Sequence, residues 1–486
     1  ILHGISAQVS LLEQIVLQNG SVYLKTLWKD DGKMTNHYLR NAVPDHIAGV
    51  ISACEGIQNN LVLLNGPIGC KTYYTFSGVD SLIRRSNLWT LGDELRLEDA
   101  MDDRLLRSQF CIGSPRIPAT NLRYSDYIFG TAEQLHRALN DLFSERSYDL
   151  FTVIQTPGTS LLGEALEPEL DAISKEFGIP HLFIESPGLS ENSMIGYDEA
   201  TVRLMELLCD KPCTNKKASK IPSINLFGFD AHEKFPEGGL KEITKLLKLC
   251  GISVHVAAGM NCPITDFRTI AQADANIILC PERCKKTAEY LRSHFPIPVY
   301  ETGGMPIGFD LTEEFVRGIS SLLGTNCEPA LDYIEESRSR AFYFIAHNMG
   351  NKGFPKDLRY AAEGEPSVLR GYVDYLSGYL GIKPKVIHPL YLQCHTENLI
   401  QEKLHELHCE DALEQDIASV NNVILLAGAN TIVELNTYSD NIFGIETANP
   451  GSGYIHVIPK TYVGCTGALY LLEQILNGTK LLRAWN

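Results

Sequence analysis

From residue 61 almost to its end, the sequence alternates short apolar, β-rich runs with stretches whose apolar residues recur every three or four positions. The runs that read as strands are 61–66, 150–156, 181–186, 223–229, 253–258, 275–280, 298–303, 386–391, 422–428 and 441–447. Helical patterns lie between them, at 130–145, 163–178 and 236–251, and the last two end in Gly178 and Gly251 as helices commonly end in glycine. Strands separated by helices must pair in parallel, because each helix carries the chain back across the sheet face. The expected fold is therefore α/β: three doubly wound parallel-sheet, Rossmann-like domains in series. The polar stretch 209–223 breaks the periodicity and sets the first boundary, and a long helix over 330–350 bridges the last two domains. The expected domains are 1–215, 216–335 and 336–486. In such sheets ligands sit beyond the carboxyl ends of the strands, so the residues just after each strand carry the information.

Composition narrows the function. No apolar run reaches the roughly 20 residues a membrane-spanning helix needs. A net charge of −17 argues against a nucleic-acid partner, since the longest basic cluster, Lys216, Lys217 and Lys220, is too short to follow a phosphate backbone. Thirteen scattered cysteines fit reduced thiols or metal ligands better than a disulfide framework, and so a reducing, cytoplasmic setting. The chain opens at Ile1 without an initiator Met, so residues before it are expected.

The stretch LVLLNGPIGCKTYYTF, residues 61–76, runs a strand into a glycine-framed turn that presents Cys70. A nucleotide-binding loop would explain Lys71 and Thr72, but its two required glycines fall on Asn65 and Cys70. A small buried hydrophobe is the ordinary fate of an isolated cysteine. The third reading is an iron-sulfur ligand, with Gly66 and Gly69 letting the backbone approach a bulky cluster.

The segment PDHIAGVISACEGIQNNLVLLNGPIGC, 44–70, closely resembles the N-terminal cluster-binding segment of nitrogenase component 1 subunits and their relatives, with Gly49, Gly56, Gly66 and Gly69 in register. The resemblance continues through YIFGTAEQLHRAL (127–139), TPGTSLLGEAL (156–166), ETGGMPIGFDLTEEFVRGIS (301–320), YAAEGEPSVLRGYVDYLSGYLGIKP (360–384) and YVGCTGALYLLEQI (462–475). It implies a cluster shared at a subunit interface, to which each subunit gives up to three cysteines. Carried over, those positions are Asp45, Cys70 and Thr156, so one thiolate remains. The implied cofactor is a four-iron cluster held by Cys70 and three partner cysteines, with Asp45 a further candidate ligand because a related reductase uses an aspartate so. Cys54, one or two helical turns from Asp45, reads as core. Cys280 falls in the register where α-like subunits anchor a second, larger iron-sulfur cofactor, and the accompanying histidine register falls on Tyr454, with His456 two residues on. The residues alone leave Cys280 open as a buried strand end, or as a zinc pair with Cys284. Cys209 and Cys213 form another isolated pair.

The resemblance implies an oxidoreductase subunit that receives electrons from an ATP-hydrolysing iron protein and pairs with a homologous component 1 subunit, as a hetero- or homodimer or an α2β2 assembly. Family members reduce dinitrogen, tetrapyrrole rings and other molecules on one scaffold. A non-catalytic scaffold for cofactor assembly is the rival expectation, which the missing cysteines favour. A nucleotide-sugar enzyme would explain the βα pattern, but GSGYIH (451–456) is too weak a glycine fingerprint to support it.

Overall fold

The computed structural model describes residues 44–67, 117–185, 191–209, 221–350, 353–390, 395–439, 441–448 and 458–485. Cys70, Gly69, Tyr454, Cys213 and His456 lie outside the described residues.

The expected alternation is present as three parallel sheets met in chain order. Helix α1 (His46–Glu55) leads into β1 (Asn60–Asn65), α2 (Ala132–Glu145), β2 (Leu150–Gln155), α3 (Glu167–Phe177), β3 (His181–Glu185) and α4 (Ser193–Leu208). The described strands of this first sheet lie in the order β1-β2-β3. The second sheet contains β4 (Ser223–Phe227), followed by α5 (Pro236–Leu249), β5 (Ser253–Ala257), β6 (Ala275–Ile278), α6 (Lys285–His294) and β7 (Val299–Glu301). Helices α7 (Gly308–Leu323) and α8 (Glu328–Met349) carry the chain to β8 (Arg359–Gly364), α9 (Pro366–Tyr372), β9 (Lys383–Pro389), α10 (His395–Glu406), β10 (Val423–Gly428), α11 (Ala429–Leu435), β11 (Ile442–Ala448) and α12 (Gly464–Trp485). The second sheet runs β5-β4-β6-β7 and the third β9-β8-β10-β11, so each reverses direction beside its first strand, which opens a crevice at the carboxyl edge.

Register in the second sheet is fixed from inside. Asn225 on β4 and Asn276 on β6 are directly paired, fully buried, and the Asn225 amide donates to the Asn276 side-chain oxygen at 2.8 Å and to the Ile270 carbonyl at 2.8 Å. A one-residue slip would bury both amides unpaired, at about 1–3 kcal/mol each.

One strand is absent from the expected set. Arg359–Gly364 reads RYAAEG, whose two alanines and glutamate carry little β signal, yet it is β8, paired with both β9 and β10. It packs Tyr360 and Ala362 into one core and Ala361 into another, so burial on both faces overrides propensity.

The cores join the sheets. One cluster joins Ile47, Val50 and Ile51 of α1 to Tyr197 and Leu204 of α4 and to Phe227 of β4, tying the first sheet to the second. A larger one runs from β4 and α5 through α7 to β8, α9 and α12. Helices α1 and α4 meet at two glycines. A β-carbon on Gly49 would lie 1.7 Å from the Ser193 carbonyl oxygen, and one on Gly196 would lie 2.0 Å from that of His46. Only hydrogens fit where these backbones touch. Gly49→Ala is therefore expected to force the helices apart and destabilise the chain by about 3 kcal/mol, whereas Gly178→Ala, at a left-handed helix end open on all sides, costs about 1 kcal/mol. Chemical denaturation of the two variants checks the difference, and equal losses would contradict it.

Candidate functional site

Loops from the carboxyl edges of the second and third sheets converge on one cavity. Strand β4 runs into Asp230–Lys234, β6 into Arg283, β8 into Glu363–Glu365 and β11 into Thr447 and Ala448. The opposite wall is Ala48 and Ser52 of α1 with Ser193, Met194 and Tyr197 of α4, and the space between measures about 970 Å³ including its mouth. The Gly49–Gly196 crossing sets where that wall stands.

Arg283 organises the charge. Its Nη1 lies 2.8 Å from Asp230 Oδ2 and 2.6 Å from Glu233 Oε1, and its Nε donates to both oxygens of Glu365 at 3.0 and 2.8 Å. One guanidinium thus faces three largely buried carboxylates. Burial pushes the Glu233 carboxyl up to about 7 against the pull of Arg283, with the charges of Glu365 and Asp230 adding to the rise. Burial works on Asp230 in the same sense, but Arg283 and His232 outweigh it and hold that carboxyl below its usual value. The Tyr462 hydroxyl donates to Glu233 Oε2 at 2.7 Å. Lys234 pairs with Glu446 at 2.8 Å, both nearly sealed from water, and His232 Nε2 lies 2.9 Å from Glu55 Oε2. The Tyr197 hydroxyl, in the wall and 2% exposed, has no hydrogen-bond partner among the described residues.

Sequence reasoning followed the cysteines and passed over these residues, although each acidic or basic group named follows a strand or faces one that does. Cys280 sits behind the cavity, 2% exposed, its Sγ donating to Glu365 Oε2 at 3.4 Å. Burial drives its thiol well above the ordinary range, and the charges of Glu282 and Glu365 add to the effect. Those carboxylates are engaged elsewhere: Glu365 by Arg283, and Glu282 by the Ser367 amide at 2.6 Å and hydroxyl. Among the described residues, four carboxylates and two cations line the cavity, and both cations are paired with the chain's own acids. A large sulfide cofactor is anionic and calls for free cations and amides, and the described lining offers it no free cation. Cys284 is fully buried, and the atoms that converge with Cys280 Sγ are the carboxylates of Glu282 and Glu365, not its thiol.

The other carried-over positions lie at the first sheet. The Asp45 carboxylate accepts from the Ala48 amide at 3.0 Å and caps α1. Thr156 is fully buried, its hydroxyl donating to the Asn65 carbonyl at 3.0 Å. A β-carbon on Gly66 would lie 2.5 Å from the Thr156 hydroxyl oxygen, so glycine is required for the two strand ends to meet. Asp45 and Thr156 therefore offer no thiolate, and both serve the chain's own backbone. Cys54 is fully buried in the core, where burial raises its thiol to about 12, and Cys209 donates to the Phe267 carbonyl at 3.5 Å.

Two segments that bond the end of β1 expose large hydrophobes. The Leu122 amide donates to the Gly66 carbonyl and the Thr159 hydroxyl to that of Asn65, and the residues just beyond leave Tyr124 84%, Phe129 88% and Leu161 88% exposed, with Ile128 at 59%.

The charge arrangement has a pH signature. Because folded Glu233 holds its proton to about 7 while an unfolded glutamate releases it near 4.5, the folded state binds more protons in between, and stability falls as pH rises through that window. Glu233→Gln is expected to flatten this part of the stability profile, measured by denaturation between pH 4.5 and 7.5. An unchanged slope would contradict the assignment.

Residues 46–480 match the family described as nitrogenase component 1 type oxidoreductase. Relatives include a light-independent protochlorophyllide reductase chain of Methylobacterium radiotolerans, 28% identical over 222 residues covering 45% of this chain and 41% of that one. The nitrogenase iron-molybdenum cofactor biosynthesis protein NifE of Clostridium pasteurianum is 24% identical over 281 residues, covering 57% of this chain and 54% of its own. The chain thus spans about half the length of these relatives. A solved structure titled nitrogenase Cp1 at pH 6.5 superposes with a TM-score of 0.70 at 17% identity, covering 90% of this chain and 92% of the other. With the family matched over most of its length, the chain belongs to the nitrogenase component 1 type oxidoreductases.

Proposed function

We propose that this chain is one subunit of a nitrogenase-like iron-sulfur oxidoreductase, taking electrons from an ATP-dependent iron protein through a four-iron cluster at the seam with a homologous component 1 subunit. Cys70 would hold the cluster for this chain, and the partner would supply the remaining thiolates. When bound, such a cluster stores and passes single electrons. The assembly is a hetero- or homodimer, or an α2β2 pair of dimers, in the cytoplasm. The domain limits 1–215, 216–335 and 336–486 belong to the same proposal.

The observation that carries this reading is the exposure of the large hydrophobes Tyr124, Ile128, Phe129 and Leu161, on segments that bond the strand end at Asn65 and Gly66. Exposed large hydrophobes mark docking surfaces, and these follow Leu122 and Thr159, which bond the Gly66 and Asn65 carbonyls near the positions where the family places its shared ligands. The chain's own groups would do the rest. Helices α1 and α4 close one side of the cavity, Arg283 fixes the carboxylates around it, and Glu233 carries a proton near neutral pH beside the space where a substrate would be reduced.

Leu161→Asp is expected to slow reduction by the iron protein at least tenfold while leaving the cluster's EPR signal intact, and Cys70→Ser to remove that signal from the anaerobic, correctly partnered complex. A wild-type complex without any reducible cluster would defeat the reading. A scaffold role for cofactor assembly is the second reading, favoured by the likeness to NifE and by the two carried-over positions without thiolates. Substrate turnover with an iron protein separates the two.

A further inference from the structure

We propose that His46, Glu191 and Glu199 hold a single divalent metal ion of the zinc or iron(II) kind where α1 crosses α4, on a site independent of any iron-sulfur cluster. The crossing makes the site. Asp45 caps α1 and Asn192 caps α4, their backbones form a bridge, and the His46 amide donates to the Glu191 carbonyl at 3.0 Å. These contacts place the first side chain of one helix against the residue leading into the other. With Gly49 and Gly196 removing any side chain from the contact, the imidazole meets Glu199 on the second turn of α4.

The geometry is that of a ligand set. His46 Nε2 lies 3.1 Å from Glu199 Oε2 and 3.6 Å from Glu191 Oε2, and the three ligand atoms all fall within 4.8 Å of one another. Bonds of about 2.1 Å in tetrahedral or octahedral arrangement put neighbouring ligand atoms roughly 3.0–3.4 Å apart; the His46–Glu199 separation falls within that range and the His46–Glu191 separation just above it. The buried ring distinguishes the group from an ordinary acidic patch: the histidine is 1% exposed and the carboxylates 38%. Lys286 pairs with Glu199 through the other oxygen, Oε1, and so leaves Oε2 turned to the centre. Glu199 also lines a surface cleft with Glu167, Asp171, Glu185 and Arg203, where four carboxylates face one guanidinium and the net field attracts cations. One imidazole and two carboxylates suit zinc or iron(II). An ion there would staple α1 to α4, and these helices form one wall of the cavity.

The test is zinc binding to the anaerobically prepared assembly by equilibrium dialysis with elemental analysis, together with zinc-edge X-ray absorption. The expected result is one zinc per chain in a nitrogen- and oxygen-only shell near about 2.0–2.1 Å. Glu191→Gln and Glu199→Gln should each weaken binding at least tenfold while the circular dichroism and iron-sulfur spectra stay unchanged. Both carboxylates are partly exposed, so these variants are expected to fold. No zinc uptake, equal uptake by both variants, or a shell containing sulfur at about 2.3 Å would overturn the proposal.

Discussion

Five residues after β4, Asp230 to Lys234, reach elements of all three layers. Asp230 and Glu233 receive Arg283 from the loop after β6, His232 meets Glu55 at the end of α1, Glu233 also accepts from Tyr462, and Lys234 pairs with Glu446 on β11. Removing one partner from a buried pair of this kind leaves a charge in low dielectric at a cost of about 3–5 kcal/mol, so these contacts specify one arrangement of the sheets as well as contributing to its stability. The apolar clusters pull the layers together without direction, and this segment supplies the direction.

The same segment gives the cavity its chemistry. Three carboxylates around one guanidinium cannot all stay ionised away from water, and the position that yields is Glu233, held from both sides by Arg283 and Tyr462. A reduction that adds electrons to a buried substrate also needs protons delivered without admitting bulk water. A carboxylic acid that titrates near neutrality in the wall is suited to that task. Under the proposed function electrons would enter elsewhere, at the end of the first sheet, where Gly66 and Thr156 close together. On that reading one α/β frame would separate docking and electron entry from the place where protons are available.

Much of the frame was legible from periodicity, because parallel strands buried on both faces read as continuous apolar runs; β10, VILLAG, and β2, LFTVIQ, stand out on that ground alone. Strand β8 did not, since Ala361 and Ala362 are small to suit close packing and carry no β signal. Of the site, the glycine register and the departures at Asp45 and Thr156 could be read from motifs, but not why those departures are tolerated: one side chain caps a helix and the other bonds a strand end, both long-range outcomes of folding. The Arg283 network was illegible for a related reason. Its members are scattered from 230 to 462, each an ordinary charged or polar residue, and only the meeting of two sheet edges makes them one site.

The account turns on a single thiolate, Cys70, as this chain's share of a cluster at a subunit seam. The most direct measurement is anomalous diffraction at the iron edge from crystals of the anaerobically assembled complex. The account predicts an iron peak at about 2.3 Å from Cys70 Sγ, with the remaining thiolates coming from the partner subunit and no iron at Cys280. A Cys70 sulfur packed against hydrocarbon with no iron within bonding reach would contradict it.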